Sequence, residues 1–232
     1  MIRRAYVGAA HRTVAVLERT GADRWLSQRQ SPFARHVWSL STIYDVDRMA
    51  RLDLPWWTYA ASREVEAFLA DRPGARVFEY GSGASTLWLA ARTGEVHSVE
   101  HDVEFAARLA ASVADLAHVD LRAVPPEPRT SASTAVSERA GHEDDDFGRY
   151  VATIDDVGGE FDLIVVDGRA RTACLEAGVR HLADGGVIVF DNARRPRYRD
   201  AIEASGLDVD LRRGWAPSLP YPEATALLRR PR

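Results

Sequence analysis

The sequence contains no lysine: all 30 of its basic residues are arginine. That excludes a Schiff-base lysine, a lysine general base and the phosphate-gripping lysine of a P-loop. A single cysteine, Cys174, excludes an internal disulfide and a cysteine-rich metal site. No apolar run approaches the ~20 residues that span a bilayer, so no membrane association is expected. The N-terminal stretch "MIRRAYVGAAHRTVAVL" has neither the unbroken apolar core nor the cleavage site of a signal peptide. A cytoplasmic location is the expectation. Positive charge is not in excess either. With a net charge of −4 and a pI near 6.0, no global basic surface advertises nucleic acid. Arginine clusters such as "NARRPRYRD" still leave room for a local anion patch.

What is present is regular. At 232 residues the chain is long enough for one full-sized core with an appendage. Strand-like runs appear at "RVFEY", "VHSVE", "VDLRAV", "FDLIVVD" and "GGVIVF", with helical patterns between most of them. After "VEHD", Ala106, Leu109, Ala110 and Val113 share one helical face, with Asp102 as N-cap. Strands separated by helices predict a parallel sheet covered on both faces. Two further runs, "LDVDLRR" and "ATALLRR", flank "GWAPSLPYPE", which is too short and too rich in proline for a crossover helix. The last strand is therefore expected to run antiparallel. The predicted fold is α/β: a Rossmann-like, doubly wound, seven-stranded sheet, mostly parallel with an antiparallel last strand.

Residues 1–58 differ in composition and are expected to form a helical, aromatic cap, leaving 59–232 for the sheet domain. Trp25, Phe33, Trp38, Tyr44, Trp56, Trp57 and Tyr59 concentrate in and beside this region. They can pack on the sheet edge, wall a pocket through "PWWTY", or pair two copies of the chain into a homo-oligomer. The segment Pro125 to Gly148 reads as a long surface loop, a lid over the sheet's carboxyl edge, and its "HEDDDF" run as solvated acid.

The chemical signal lies in "RVFEYGSGASTLWLA", a strand, a glycine turn and a helix opening. No Gly-Lys-Ser/Thr follows, so it is not a P-loop. Gly81 and Gly83 fit a dinucleotide fingerprint, but its third glycine position is Thr86. Glu79 precedes the turn, where a carboxylate repels pyrophosphate and suits an ammonium or sulfonium centre. Glu100 ends the second strand, 19 residues after Gly81, where an acid accepts both hydroxyls of a ribose. Together they describe a ribonucleoside with a cationic amino-acid tail and no phosphate. S-adenosylmethionine fits that description.

The motifs "FEYGSGAST", "SVEHD", "FDLIVVDG" and "GGVIVFDN" resemble, in order and spacing, those of class I S-adenosylmethionine-dependent methyltransferases. The resemblance runs from about Trp56 to Leu228 and includes the reversed seventh strand. It makes 59–232 the S-adenosylmethionine-binding domain. It implies that Glu79, Gly81, Gly83 and Ser85, with Thr86 beside them, surround the methionine moiety. It also implies that Glu100 holds the ribose and that His101 lies near the adenine. Ser85 stands where the family's third glycine is usual.

Asp167 closes one strand, and Asp191 and Asn192 close the next. This pattern is similar to that of the catechol-type, cation-dependent O-methyltransferases, in which such residues hold Mg²⁺ against the substrate's oxygens. In that group a lysine base follows three residues after the first ligand; here the position is Ala170. The three side chains are thus expected to serve a metal or proton handling, with Asp167 and Asp191 as the catalytic pair. Arg169 and Arg171 suit either a substrate anion or a structural ion pair, and Trp57, Tyr59 and Arg169 are the candidate substrate contacts. The implied activity is methyl transfer to a small molecule, at oxygen. Two alternatives keep the cofactor: an enzyme that cyclises it or moves another alkyl group, and a non-catalytic partner protein.

Overall fold

The computed structural model describes residues 32–40, 50–137 and 139–231. Seven strands form its sheet: β1 (Arg76–Tyr80), β2 (Glu95–Glu100), β3 (Val119–Ala123), β4 (Phe161–Val166), β5 (Leu182–Phe190), β6 (Asp208–Gly214) and β7 (Glu223–Arg229). Their order is β3-β2-β1-β4-β5-β7-β6. β1 to β5 pair in parallel, and β7 runs antiparallel to both of its neighbours. The expected topology is the one observed. Pro217, Pro220 and Pro222 remove backbone donors from the β6–β7 connection, so no crossover helix can form there.

Valine and isoleucine runs make the central strands, and alternation sends their side chains to two separate cores. Phe78, Tyr80, Ile164, Val166, Ile188 and Phe190 share one cluster with Tyr150, Ile154, Cys174 and Leu175 of the covering helices. Those helices are α5 (Gly148–Val157) and α6 (Arg171–Arg180). Val77, Leu163, Val165, Val187 and Val189 share the other with Val65 and Leu69 of α2 (Tyr59–Ala70) and Trp88 and Leu89 of α3 (Ala84–Ala90). α4 (Val103–Val113) follows β2, and Asp102 caps it by accepting the Phe105 N–H at 2.9 Å. α7 (Arg199–Ala204) precedes β6.

Strand order reverses between β1 and β4, and at such a switch point the carboxyl ends diverge and leave a crevice. The segment after β3 lies over it. A two-residue ladder, Glu127–Pro128 against Asp145–Asp146, and a bridge from Val136 to Asp146 hold that segment in place. Its acids serve the segment itself: Asp145 pairs with His142 at 2.6 Å, and Asp146 accepts the Ser133 hydroxyl and the Gly148 N–H. Of the N-terminal region, the helix Pro32–Ser39 (α1) brings Trp38 into a small cluster with Leu52 and Ala84, backed by Leu54 and Trp56. Trp25, Tyr44 and the side chain of Phe33 lie outside the described residues.

Candidate active site

The crevice is a cavity of about 930 Å³, a size suited to a cofactor together with a small acceptor. Its floor is the turn after β1. Gly81 has φ +96°, and a Cβ there would lie 2.6 Å from Gly168 Cα, so two turns touch through bare backbone. A Cβ on Gly83 would meet nothing within 4 Å; the space over that residue is open for a ligand. Gly81, Gly83 and Ser85 all line the cavity.

Glu79 does not. Its side chain is 0% exposed, enclosed beneath the turn. The hydroxyls of Ser85, Thr86 and Ser98 donate to it at 2.5, 2.5 and 2.6 Å, and Thr86 also accepts the Gly83 N–H at 2.9 Å. Burial raises its carboxyl to about 7, against the lowering effect of the three hydroxyls. The expectation that Glu79 meets a cationic centre directly is therefore corrected: Glu79 and Thr86 shape the turn from behind. The signal for this was the cluster of hydroxyls in "GSGAST" together with Ser98.

Glu100 is 4% exposed but reaches the cavity wall. Its Oε1 accepts the N–H groups of His101 and Asp102 at 2.9 and 2.8 Å and lies 2.5 Å from His101 Nδ1. These bonds aim the carboxylate, and among the described residues Oε2 has no donor. The His101 ring lines the same wall, edge-on to His142 and tilted on Phe147. Arg169 belongs to this half too. Burial, then the charge of Arg139, lowers its pKa, while Glu100 opposes them.

Asp167, Asp191 and Asn192 come together on the opposite half, as their strand ends predicted. Arg171 staples them. Its guanidinium donates to Asp167 Oδ1 and the Asp167 carbonyl, both at 2.6 Å, and to the Asp191 carbonyl at 2.5 Å. Asp191 Oδ1 accepts the Thr225 hydroxyl at 2.7 Å, and Thr225 in turn accepts the Thr58 N–H at 3.1 Å. Burial, helped by the Asp167 charge, raises the Asp191 carboxyl to about 7; burial also raises Asp167, against the pull of Arg171. Sequence gave no sign of Thr225 or Thr58, which reach Asp191 from 34 and 133 positions away.

Mg²⁺ finds no support in the donor set: Asp167 Oδ1 is paired with a permanent cation, and the Asn192 amide N–H donates to Glu223 at 3.3 Å. Among the described residues no three His, Cys, Asp or Glu side chains form a metal cluster. Two aromatic expectations are corrected as well. Trp57 is fully buried in the core, edge-on to Trp88, and the Tyr59 hydroxyl bonds His36 Nδ1 at 3.2 Å away from the cavity. Trp56 is the tryptophan on the cavity wall. Ala170, Asn192 and Ser218 hold positive φ angles of 45°, 55° and 61° and line the same cavity, local strain gathered at one site.

The sheet order and the open glycine turn define a Rossmann-like methyltransferase fold. A family profile described as a methyltransferase domain matches residues 78–193, half of the chain, and the chain belongs to that family of class I S-adenosylmethionine-dependent enzymes. Cofactor-bound Rv0187 from MTB is 19% identical, with 81% of this chain and 88% of that chain covered at a TM-score of 0.54, which shows the same fold. The N-methyltransferase NodS from Bradyrhizobium japonicum WM9 is 17% identical, covering 75% and 98% at 0.49. A methyltransferase-like protein from Silicibacter pomeroyi DSS-3 is 21% identical, covering 77% and 90% at 0.48. Among curated proteins no sequence matches this chain. Among the described residues no helix is long and apolar enough to cross a membrane.

Proposed function

We infer that this chain binds S-adenosylmethionine in the cavity and methylates a small molecule, at oxygen. The observation that carries the reading is Glu100, whose Oε1 is held by the N–H groups of His101 and Asp102 and which lines a cavity floored by the open turn at Gly83. A carboxylate so fixed accepts the two hydroxyls of a ribose. His101 and Arg169 flank the place of the adenine, where a planar guanidinium can stack. Gly81, Gly83 and Ser85 border the amino-acid tail, with Glu79 and Thr86 fixing the turn's shape.

When bound, the cofactor supplies an electrophilic methyl group on a sulfonium, for in-line transfer. The protein's share is positioning, which for well-oriented groups lowers a barrier by ~7–11 kcal/mol, and removal of the acceptor's proton. Asp191, with its carboxyl near 7 beside Asp167, suits that second task, since a general base works best with a pKa close to the working pH. Arg171 ties the Asp167 carboxylate to the Asp191 backbone. No cation is required by this account. Incubating the purified chain with S-adenosylmethionine and a panel of hydroxy-bearing small molecules tests the reading. Release of S-adenosylhomocysteine is expected, and EDTA should leave its rate unchanged. Release of methylthioadenosine would instead favour another alkyl transfer.

A further inference from the structure

We propose that the acceptor carries an oxyanion, a carboxylate or phosphate, gripped by Arg195 and Arg197 just beyond β5; this rests on the methyl-transfer reading of the cavity. Both arginines come from "NARRPRYRD", and both line the cavity on the side of Asp167, Asp191 and Asn192. The backbone between them is a 3-10 turn, Pro196–Tyr198, whose first proline pre-sets its φ. Arg194 anchors the same segment to the loop before β7 by donating to the Pro222 carbonyl at 3.3 Å. Arg197 is braced on Tyr198: its guanidinium lies 4.8 Å over the ring and donates to the hydroxyl at 3.1 Å. Arg195 has no carboxylate within 4.0 Å among the described residues.

Away from the cavity Arg76, Arg92, Arg122, Arg180 and Arg229 each hold a carboxylate, whereas Arg63, Arg108 and Arg199 hold none among the described residues; Arg195 differs from these last in being half-buried in the cavity wall. Of the acids beside Arg195, Asp167 pairs with Arg171 and also feels the charge of Arg195, Asp191 accepts from Thr225, and Glu223 accepts from Asn192. A pair of half-buried guanidiniums, positioned by a rigid turn and facing a cavity, suits a bidentate oxyanion partner. The acceptor's anionic end would sit at this turn, and its reacting oxygen nearer Asp191.

Calorimetry on the full chain saturated with S-adenosylhomocysteine tests this, using benzoate and inorganic phosphate as probes at constant ionic strength. At least one probe should bind the wild type, and the tighter of the two names the anion. The double variant Arg195→Gln, Arg197→Gln should weaken that binding at least about tenfold, the loss of one charge-assisted hydrogen bond. Its S-adenosylhomocysteine affinity should stay within about twofold of wild type, which also shows that it is folded. No binding of either probe to the wild type, or equal binding to the variant, overturns the proposal. Anion binding without any affinity for S-adenosylhomocysteine would sink the methyl-transfer reading and leave the anion site standing.

Discussion

Glu79 sits among three hydroxyl donors, yet its burial outweighs them and its carboxyl rises from 4.5 to about 7. The native state therefore binds this proton more tightly than the unfolded chain does. The stability it contributes is complete below pH 4.5 and is lost as pH climbs to about 7, at about 1.4 kcal/mol per unit. Thermal melts should show a fall in Tm across that window, and Glu79→Gln should flatten it. Asp191 gives a second expectation at this scale. If it takes the acceptor's proton, kcat/KM rises with pH through about 7 as the carboxyl ionises, and Asp191→Asn lowers turnover by about 10²–10⁴ with S-adenosylhomocysteine binding intact. An unchanged rate in Asp191→Asn removes it from proton transfer. Single residues were also where sequence was least informative. Two adjacent tryptophans in a loop carry no periodicity, so nothing told Trp56 on the cavity from Trp57 in the core. Glu79 and Glu100 look alike on paper, each an acid at a strand's end; the hydroxyls around one and the free backbone N–H groups around the other separate them.

The elements were far more legible, because each rests on a local pattern. Runs such as "FDLIVVD" read as strands buried on both faces, Asp102 announced α4, and three prolines forced the reversal of β7. The turn after β1 was legible as a glycine turn opening a helix, but the reason for its first glycine was not: Gly81 meets Gly168, 87 positions on, across β1 and β4. Gly81→Ala must both hold φ +96° and push the second turn away. We expect it to cost about 2–4 kcal/mol by denaturant unfolding. A loss under 0.5 kcal/mol would mean that the two turns move apart freely. Arg171 was legible in part, since it lies four positions after Asp167, but its grip on the Asp191 carbonyl needed the parallel pairing of β4 and β5.

At the scale of the whole molecule, the proposed function divides the switch point into an adenosine half, around Glu100, and an acceptor half, around Asp191. Mass action makes the first half measurable. S-adenosylhomocysteine at a hundred times its Kd should stabilise the fold by ~2.7 kcal/mol, a Tm rise of several degrees for a chain of this size. Sequence could place both halves on the sheet's carboxyl edge but not give the acceptor half its shape, because that is made by distant segments: the 3-10 turn after β5, the loop before β7 and Trp56. The most direct measurement is a calorimetric titration of S-adenosylhomocysteine into the wild type and Glu100→Ala. The account predicts saturable binding to the wild type and a loss of at least about tenfold in the variant, the worth of hydrogen bonds to one charged group. Equal affinities, or a wild type that does not bind, would contradict it.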